Sequence, residues 1–289
     1  MTEQSERRLL RIAVPNKGSL SEAAAQMLRE AGYRQRSDSK DLVLVDPANH
    51  VEFYYLRPRD IAVYVGEGTL DVGFTGRDML LDSGADASEL KALGFGATTF
   101  RFAGPAEQSW TVEKLAGSRI ATSYPGLVGQ HLADRGIEAR LIKLDGAVES
   151  AIRLGVADVI ADVVETGRTL RQAGLALFGD PILGSEAVLI GRNSGEIPTG
   201  LDALTRRLDG VLVARNYVMM DYDSPAELIE RASAIAPGLE GPTVSPLARE
   251  GWVAVRTMVP RADAQRVMDE LWELGARAIL VTDIAACRL

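Results

Sequence analysis

Gly155-Val156-Ala157-Asp158-Val159-Ile160-Ala161-Asp162-Val163-Val164-Glu165-Thr166-Gly167-Arg168-Thr169 is the stretch on which the reading of this chain turns. Residues 158–164 form a short apolar run rich in valine and isoleucine, the pattern of a buried strand. The run breaks at Glu165-Thr166-Gly167, and a helical pattern follows to about residue 173. A strand that feeds a helix through a glycine turn is the repeating unit of α/β folds. The same unit occurs earlier: Gly68-x-x-Asp71-Val72 matches Gly155-x-x-Asp158-Val159, and Thr75-Gly76-Arg77 matches Thr166-Gly167-Arg168. The second copy is slightly longer between strand and turn. Two such copies suggest a pseudo-symmetric pair of lobes with a cleft between them. Two common strand–turn–helix units sharing residues by chance would read the same way.

Working outward, further strands are expected at residues 9–14, 51–56, 71–74, 119–122 and 139–144. A helix over 20–31 is expected between Ser19, a capping residue with Glu22 three places on, and Gly32, a stop. Glycines and Pro105 cluster around residues 95–105, where the chain is expected to cross from one lobe to the other. A return crossing is expected near 186–190. This gives one lobe from 1–98 and 187–211 and an inserted lobe from 99–186. The remainder, 212–289, reads differently: strand 211–222, helix 225–234, a weak strand at 243–247, strand 252–259, helix 262–274 and strand 278–284. That β-α-β-β-α-β order is typical of small ligand-sensing or oligomerising units, and a plain dimerisation domain fits it too.

The chain has 289 residues, 46% hydrophobic and 25% charged, enough for two or three globular units. Its net charge of −8 argues against sequence-independent binding to nucleic acid or an anionic membrane. An anionic ligand would need a local basic pocket. The single cysteine, Cys287, rules out a disulfide within the chain and fits a reducing cytosol. The apolar run at 9–15 contains Arg11 and is too short for a secretion signal, and no run of ~18 apolar residues is present to span a membrane.

The turn at 165–169 suits a phosphate. Gly167 permits a tight turn that exposes backbone N–H groups, Thr166 and Thr169 add hydroxyls, and Arg168 adds a fork of donors. A plain helix cap by Thr166 is the alternative. Asp162 would then accept hydrogen bonds from the 2- and 3-hydroxyls of a ribose. The common phosphoribosyltransferase signature has two acids before Thr-Gly-x-Thr, whereas here Ala161 precedes the single Asp162. Pro15-Asn16-Lys17-Gly18, Arg57-Pro58-Arg59-Asp60 and Thr75-Gly76-Arg77-Asp78 each follow an expected strand. Lys17, Arg57, Arg59 and Arg77 would therefore gather at the strand ends where ligands bind in open α/β sheets, pointing to a polyanion site. Tyr124, after the strand at 119–122, reads equally as a stacking partner for a base or as a turn tyrosine. His50 and His131 are the only histidines and lack metal-ligand spacing. No Gly-x-Ser-x-Gly elbow, Gly-x-Gly-x-x-Gly or Walker loop is present.

These motifs together, Pro15-Asn16-Lys17-Gly18, Leu56-Arg57-Pro58-Arg59-Asp60-Ile61, Gly73-Phe74-Thr75-Gly76-Arg77-Asp78 and Val164-Glu165-Thr166-Gly167-Arg168-Thr169-Leu170, resemble the ATP phosphoribosyltransferase family. Asp221-Tyr222-Asp223, Gly241-Pro242-Thr243 and Asp283-Ile284 resemble its long form. The resemblance implies a bilobal core like type II periplasmic binding proteins, a ferredoxin-like regulatory domain, Mg²⁺ dependence, feedback inhibition by histidine, and dimers assembled into hexamers. It implies transfer of the phosphoribosyl group of phosphoribosyl pyrophosphate to ATP. Residues 162–169, including Glu165, would hold the ribose and its 5-phosphate. Lys17, Arg57 and Arg59 would face the pyrophosphate and ATP phosphates, with Arg77 on the same polyanion. Asp78 and Tyr124 would border the nucleotide, and Glu149 would be a candidate for Mg²⁺ or ribose. Asp223, Thr243, Met258 and Ala278 would line the histidine pocket.

Two rivals share parts of this pattern. Prephenate dehydratase joins similar lobes to a small regulatory domain but needs a Thr-Arg-Phe run, and this chain reads Thr99-Phe100-Arg101-Phe102. A solute-binding protein would share the lobes, with the missing export signal and the third domain counting against it.

Overall fold

The computed structural model describes residues 8–164 and 167–288. The chain forms two compact units, one built on residues up to Leu28 and from Tyr33 to Leu201, the other on Arg29–Gly32 and from Asp202 onward.

In the first unit, lobe I contains β1 (Leu10–Pro15), α1 (Ser19–Glu30), β2 (Val43–Asp46), β3 (Val51–Leu56), α2 (Pro58–Gly66), β4 (Val72–Gly76), α3 (Arg77–Ser83) and β5 (Ala87–Ala92). Lobe II contains β6 (Thr98–Pro105), β7 (Arg119–Thr122), α4 (Pro125–Ala133), β8 (Arg140–Lys143), α5 (Ser150–Arg153), β9 (Val159–Val164), α6 (Arg168–Gln172) and β10 (Leu175–Ser185). The chain then returns to lobe I as β11 (Ala187–Arg192). The lobe I sheet has the order β2-β3-β1-β4-β11-β5, and the lobe II sheet β10-β6-β9-β7-β8. In lobe I, β1 runs parallel to β3 and β4; in lobe II, β7 runs parallel to β8 and β9. β1 is apolar and buried almost throughout, as expected of a strand flanked by parallel neighbours in the middle of the sheet. This is the bilobal α/β core anticipated above.

The two crossings hold each other. Leu93 donates its amide to the Ala187 carbonyl at 3.0 Å, and Ala187 donates to Phe95 at 2.9 Å. Residues 98–105, expected as crossing, are instead the strand β6, because the Phe100, Phe102 and Ala103 side chains are wholly buried in the lobe II core.

The internal repeat has a structural basis. Asp71, just ahead of β4, accepts the Arg11 amide of β1 at 2.8 Å, and Asp158, just ahead of β9, accepts the Arg119 amide of β7 at 2.8 Å. In both lobes the aspartate thus pins the start of one parallel strand to its neighbour. Arg119 adds a salt bridge to Asp158 at 2.7 Å.

The second unit contains α7 (Leu201–Asn216), β12 (Tyr217–Pro225), α8 (Ile229–Ile235), β13 (Thr243–Pro246), β14 (Trp252–Pro260), α9 (Ala264–Leu274) and β15 (Arg277–Asp283). Its sheet order, β13-β14-β12-β15, is the ferredoxin-like arrangement of a β-α-β-β-α-β unit. The expected strand at 211–222 is corrected here: residues up to Asn216 complete α7. Leu204, Leu208 and Val211 recur at helical spacing on its buried side, so the apolar stretch continues a helical face. Among the described residues no helix is long and apolar enough to cross a membrane.

Candidate active site between the lobes

Strands β3, β1 and β4 lie side by side and parallel, so the segments after them emerge at one edge of the sheet. Asn16, Lys17 and Gly18 follow β1. Arg57 follows β3 and precedes α2, whose first residue, Pro58, is suited to a helix start. Lys17 and Arg57 are exposed. The start of α2 is tied to β4 by the Thr75 hydroxyl, which donates to the Pro58 carbonyl at 2.9 Å. Arg36 fastens the preceding loop to the same edge, with its guanidinium 4.1 Å from the centre of the Tyr55 ring and a donor on the Asn16 carbonyl at 2.9 Å.

Arg77 departs from its neighbours. Its guanidinium donates to both Glu89 oxygens at 2.8 Å and to Glu186 at 3.3 Å. The hydrogen bonds Arg77 donates to Glu89 are the main reason its pKa is raised, and they lower the Glu89 carboxyl in return. Arg77 thus braces the return crossing, with its fork taken up by carboxylates of its own chain.

Arg59 and Asp78 meet Tyr124 across the lobes, and Asp162 feels the charges of Arg59, Asp78 and Glu149. Asp78, in the first turn of α3, is buried, and the Ser185 hydroxyl donates to its Oδ1 at 2.8 Å. The Asp78 amide donates back to the Ser185 oxygen at 3.1 Å. Tyr124 of lobe II is 6% exposed. The Arg59 guanidinium of lobe I lies 4.1 Å from its ring centre, and Phe100 meets the ring edge-on at 5.1 Å. One ring face is therefore covered, and Tyr124 is not an open platform for a base. Burial, followed by the charge of Asp78 and a hydrogen bond with it, pushes the Tyr124 phenol well above its usual value, so it keeps its proton.

Asp162, near the end of β9, accepts the Val163 amide at 2.8 Å. Burial raises its carboxyl most; the charges of Glu149 and Asp78 add to this, while the amide and Arg59 oppose it. Glu149 stands just before α5. Its loop is anchored by the Gly146 amide, which donates to the Ser123 hydroxyl at 3.2 Å. Among the described residues no group of three or more histidine, cysteine, aspartate or glutamate residues is placed to hold a metal ion.

Beyond Asp162, Glu165 and Thr166 lie outside the described residues. Gly167 adopts φ 65° and ψ 12° ahead of α6, the left-handed conformation that favours glycine. Arg168 and Thr169 follow it on the exposed side. In the second unit, Met258 pairs with Met219, Thr243 with Arg256, and Asp223 with Ala254. Val218, Met220, Tyr222 and Val255 fill the core on the opposite face. Asp223, Thr243 and Met258 therefore share the face turned away from α8 and α9, where Asp221 pairs with Arg256 at 2.7 Å. Ala278 sits at φ 50°, where the register of β15 against β12 shifts beside Asp223.

Ser185 and Asp82 were not anticipated from sequence. Ser185 is 107 positions from Asp78, and no local pattern marks it. Asp82 had a signal: it lies four residues after Asp78, on the same side of one helix.

A family model described as ATP phosphoribosyltransferase matches residues 57–210, and one described as HisG, C-terminal domain matches residues 214–286. An ATP phosphoribosyltransferase of Pseudarthrobacter chlorophenolicus is 65% identical over 285 residues, covering 97% of this chain and 100% of that protein. One from Salinispora tropica is 64% identical over 281 residues, with the same coverage. A solved ATP phosphoribosyl transferase (HisG:HisZ) complex from Thermotoga maritima has 25% identity and a TM-score of 0.60, covering 71% of this chain and 98% of that one. With relatives this similar along nearly the whole length, the chain belongs to the ATP phosphoribosyltransferase family and is an enzyme.

Proposed function

We propose that the enzyme joins N1 of ATP to C1 of the ribose of phosphoribosyl pyrophosphate, breaking the bond from that carbon to pyrophosphate, as the first committed step of histidine biosynthesis. The base nitrogen is the nucleophile, so the protein has to position two crowded anions and stabilise the departing charge. This fits the lack of an activated serine, cysteine or histidine among the described residues of the site. Lys17 and Arg57 face the pyrophosphate and the ATP phosphates. Asp162 accepts from the ribose hydroxyls, and the turn from Glu165 to Thr169 receives the 5-phosphate. Tyr124, held in its protonated form, and Asp78 border the nucleotide, with Arg59 over the Tyr124 ring. When bound, Mg²⁺ would neutralise phosphate charge, with Glu149 and Asp162 as the nearby carboxylates.

The observation that supports this reading most is the meeting of Arg59, Asp78 and Tyr124 with Asp162 at the inner edges of both lobes. A cytosolic setting, a homo-oligomer from dimer to hexamer, and inhibition by histidine at the Asp223 face belong to the same proposal. The test is pyrophosphate release from purified protein given ATP, phosphoribosyl pyrophosphate and Mg²⁺. Release should require all three and should fall when histidine is added. Release that persists without ATP would sink the proposal.

A further inference from the structure

The N-terminus of α4 has no side-chain cap of its own. Tyr124 occupies the capping position and makes no such bond. The first amides of a helix have no partner within it, and at most helix starts a neighbouring Ser, Thr, Asp or Asn supplies one. Here the acceptor comes from the other lobe. Asp82, in the last turn of α3, accepts the Gly126 amide at 2.8 Å and the Leu127 amide at 3.1 Å through one oxygen. Its other oxygen pairs with Arg59 at 3.3 Å. The same Arg59 lies over Tyr124, the residue at which α4 begins. Gly126 has no side chain where α4 meets α3, and a Cβ there would collide with the Asp82 carbonyl oxygen.

From this geometry we infer that Asp82 is a positioning residue that latches the lobes together, capping α4 from across the cleft and setting Arg59 against Tyr124. The inference rests on the phosphoribosyl transfer proposed above. A carboxylate bonded to two amides of a helix start and to an arginine is a charge-assisted junction, well suited to fixing one helix end against another. Asp82 touches no reacting atom in this scheme. Its effect reaches the chemistry through Arg59 and Tyr124, which come from different lobes and must meet for the site to be complete.

Two variants break the contact from opposite sides. Asp82→Ala removes the acceptor. Gly126→Ala forces the helices apart while favouring α4 locally, since alanine is the better helix former. A latch predicts that both lower kcat/KM for both substrates, by ~2- to 30-fold on the scale of a lost helix cap. It also predicts that Gly126→Ala does so with the fold intact. Asp82→Asn retains an oxygen for the two amides and should recover most of the loss. Backbone amide exchange by NMR on the full chain gives a readout independent of turnover: Gly126 and Leu127 should be protected in the wild type and exchange faster in Asp82→Ala. Equal exchange in the two proteins would overturn the latch. So would full activity in Gly126→Ala, or equal losses in the Asn and Ala variants, which would leave only the pairing with Arg59. If the wild type itself releases no pyrophosphate, the transfer reaction is wrong, and the exchange measurement still decides the latch.

Discussion

Asp162 is held in its protonated form to a higher pH than an ordinary aspartate, chiefly by burial. Between its ordinary value of 3.8 and its raised value, the folded state binds more protons than the unfolded state. Stability therefore falls as pH rises through that window, and the ionised carboxylate remains a cost above it. Asp162→Asn in the ligand-free protein should accordingly melt higher than wild type at neutral pH, with the gain vanishing below about pH 3.8, as thermal scans across pH would show. Its kcat/KM for phosphoribosyl pyrophosphate should fall ~10- to 100-fold, because an amide is a weaker acceptor for ribose hydroxyls than a carboxylate. Arg57 offers a different signature. If the exposed Arg57 that follows β3 stabilises charge on the leaving group, Arg57→Ala should lower kcat by ~100- to 1,000-fold with smaller changes in the Michaelis constants. Steady-state kinetics in which only those constants move would assign Arg57 to uniform binding instead.

Among the elements, the turn into α6 carries the most testable conformation. A left-handed Gly167 positions Arg168 and Thr169 immediately after it. Gly167→Ala adds a Cβ in a conformation that costs an L-residue roughly 1–2 kcal/mol. The cost should appear as a higher Michaelis constant for phosphoribosyl pyrophosphate with that for ATP little changed. A variant equally weakened for both substrates would place the turn elsewhere in the mechanism. The elements also separate what local pattern can reveal from what it cannot. β3 and β7 stand where their apolar runs begin and end, because turn residues bound a short buried strand on both sides. β5 was missed. Its residues Ala87–Ala92 are half polar and mostly exposed, and it is a strand because it pairs with β11, far away in sequence.

For the whole molecule, regulation would be read out as inhibition by a ligand held on the second unit. A ligand shifts an equilibrium only by its differential affinity for two states, typically ~1–3 kcal/mol. If histidine binds the face carrying Asp223, Thr243 and Met258, Asp223→Ala should retain catalysis and lose inhibition, because its carboxylate is the anionic partner for the ligand's amino group or imidazole. Inhibition curves for the variant and wild type that superimpose would move the effector site away from this face.

The alternation of strand and helix, the two-lobed repeat and the β-α-β-β-α-β order of the last unit were legible in the sequence. Each rests on periodicity, capping and turn residues that act within a few positions of one another. The cations at the ends of β1 and β3 were legible for the same reason. Tertiary structure alone decided which side chains those groups meet. Arg77 occupies a strand-end position like that of Arg57, yet it turns to Glu89 and Glu186. Tyr124 carries a ring suited to stacking, yet Arg59 covers it. Asp78 finds Ser185, and Asp82 finds the start of α4. Once the fold has brought distant segments together, burial and hydrogen-bond geometry select partners that no spacing along the chain encodes.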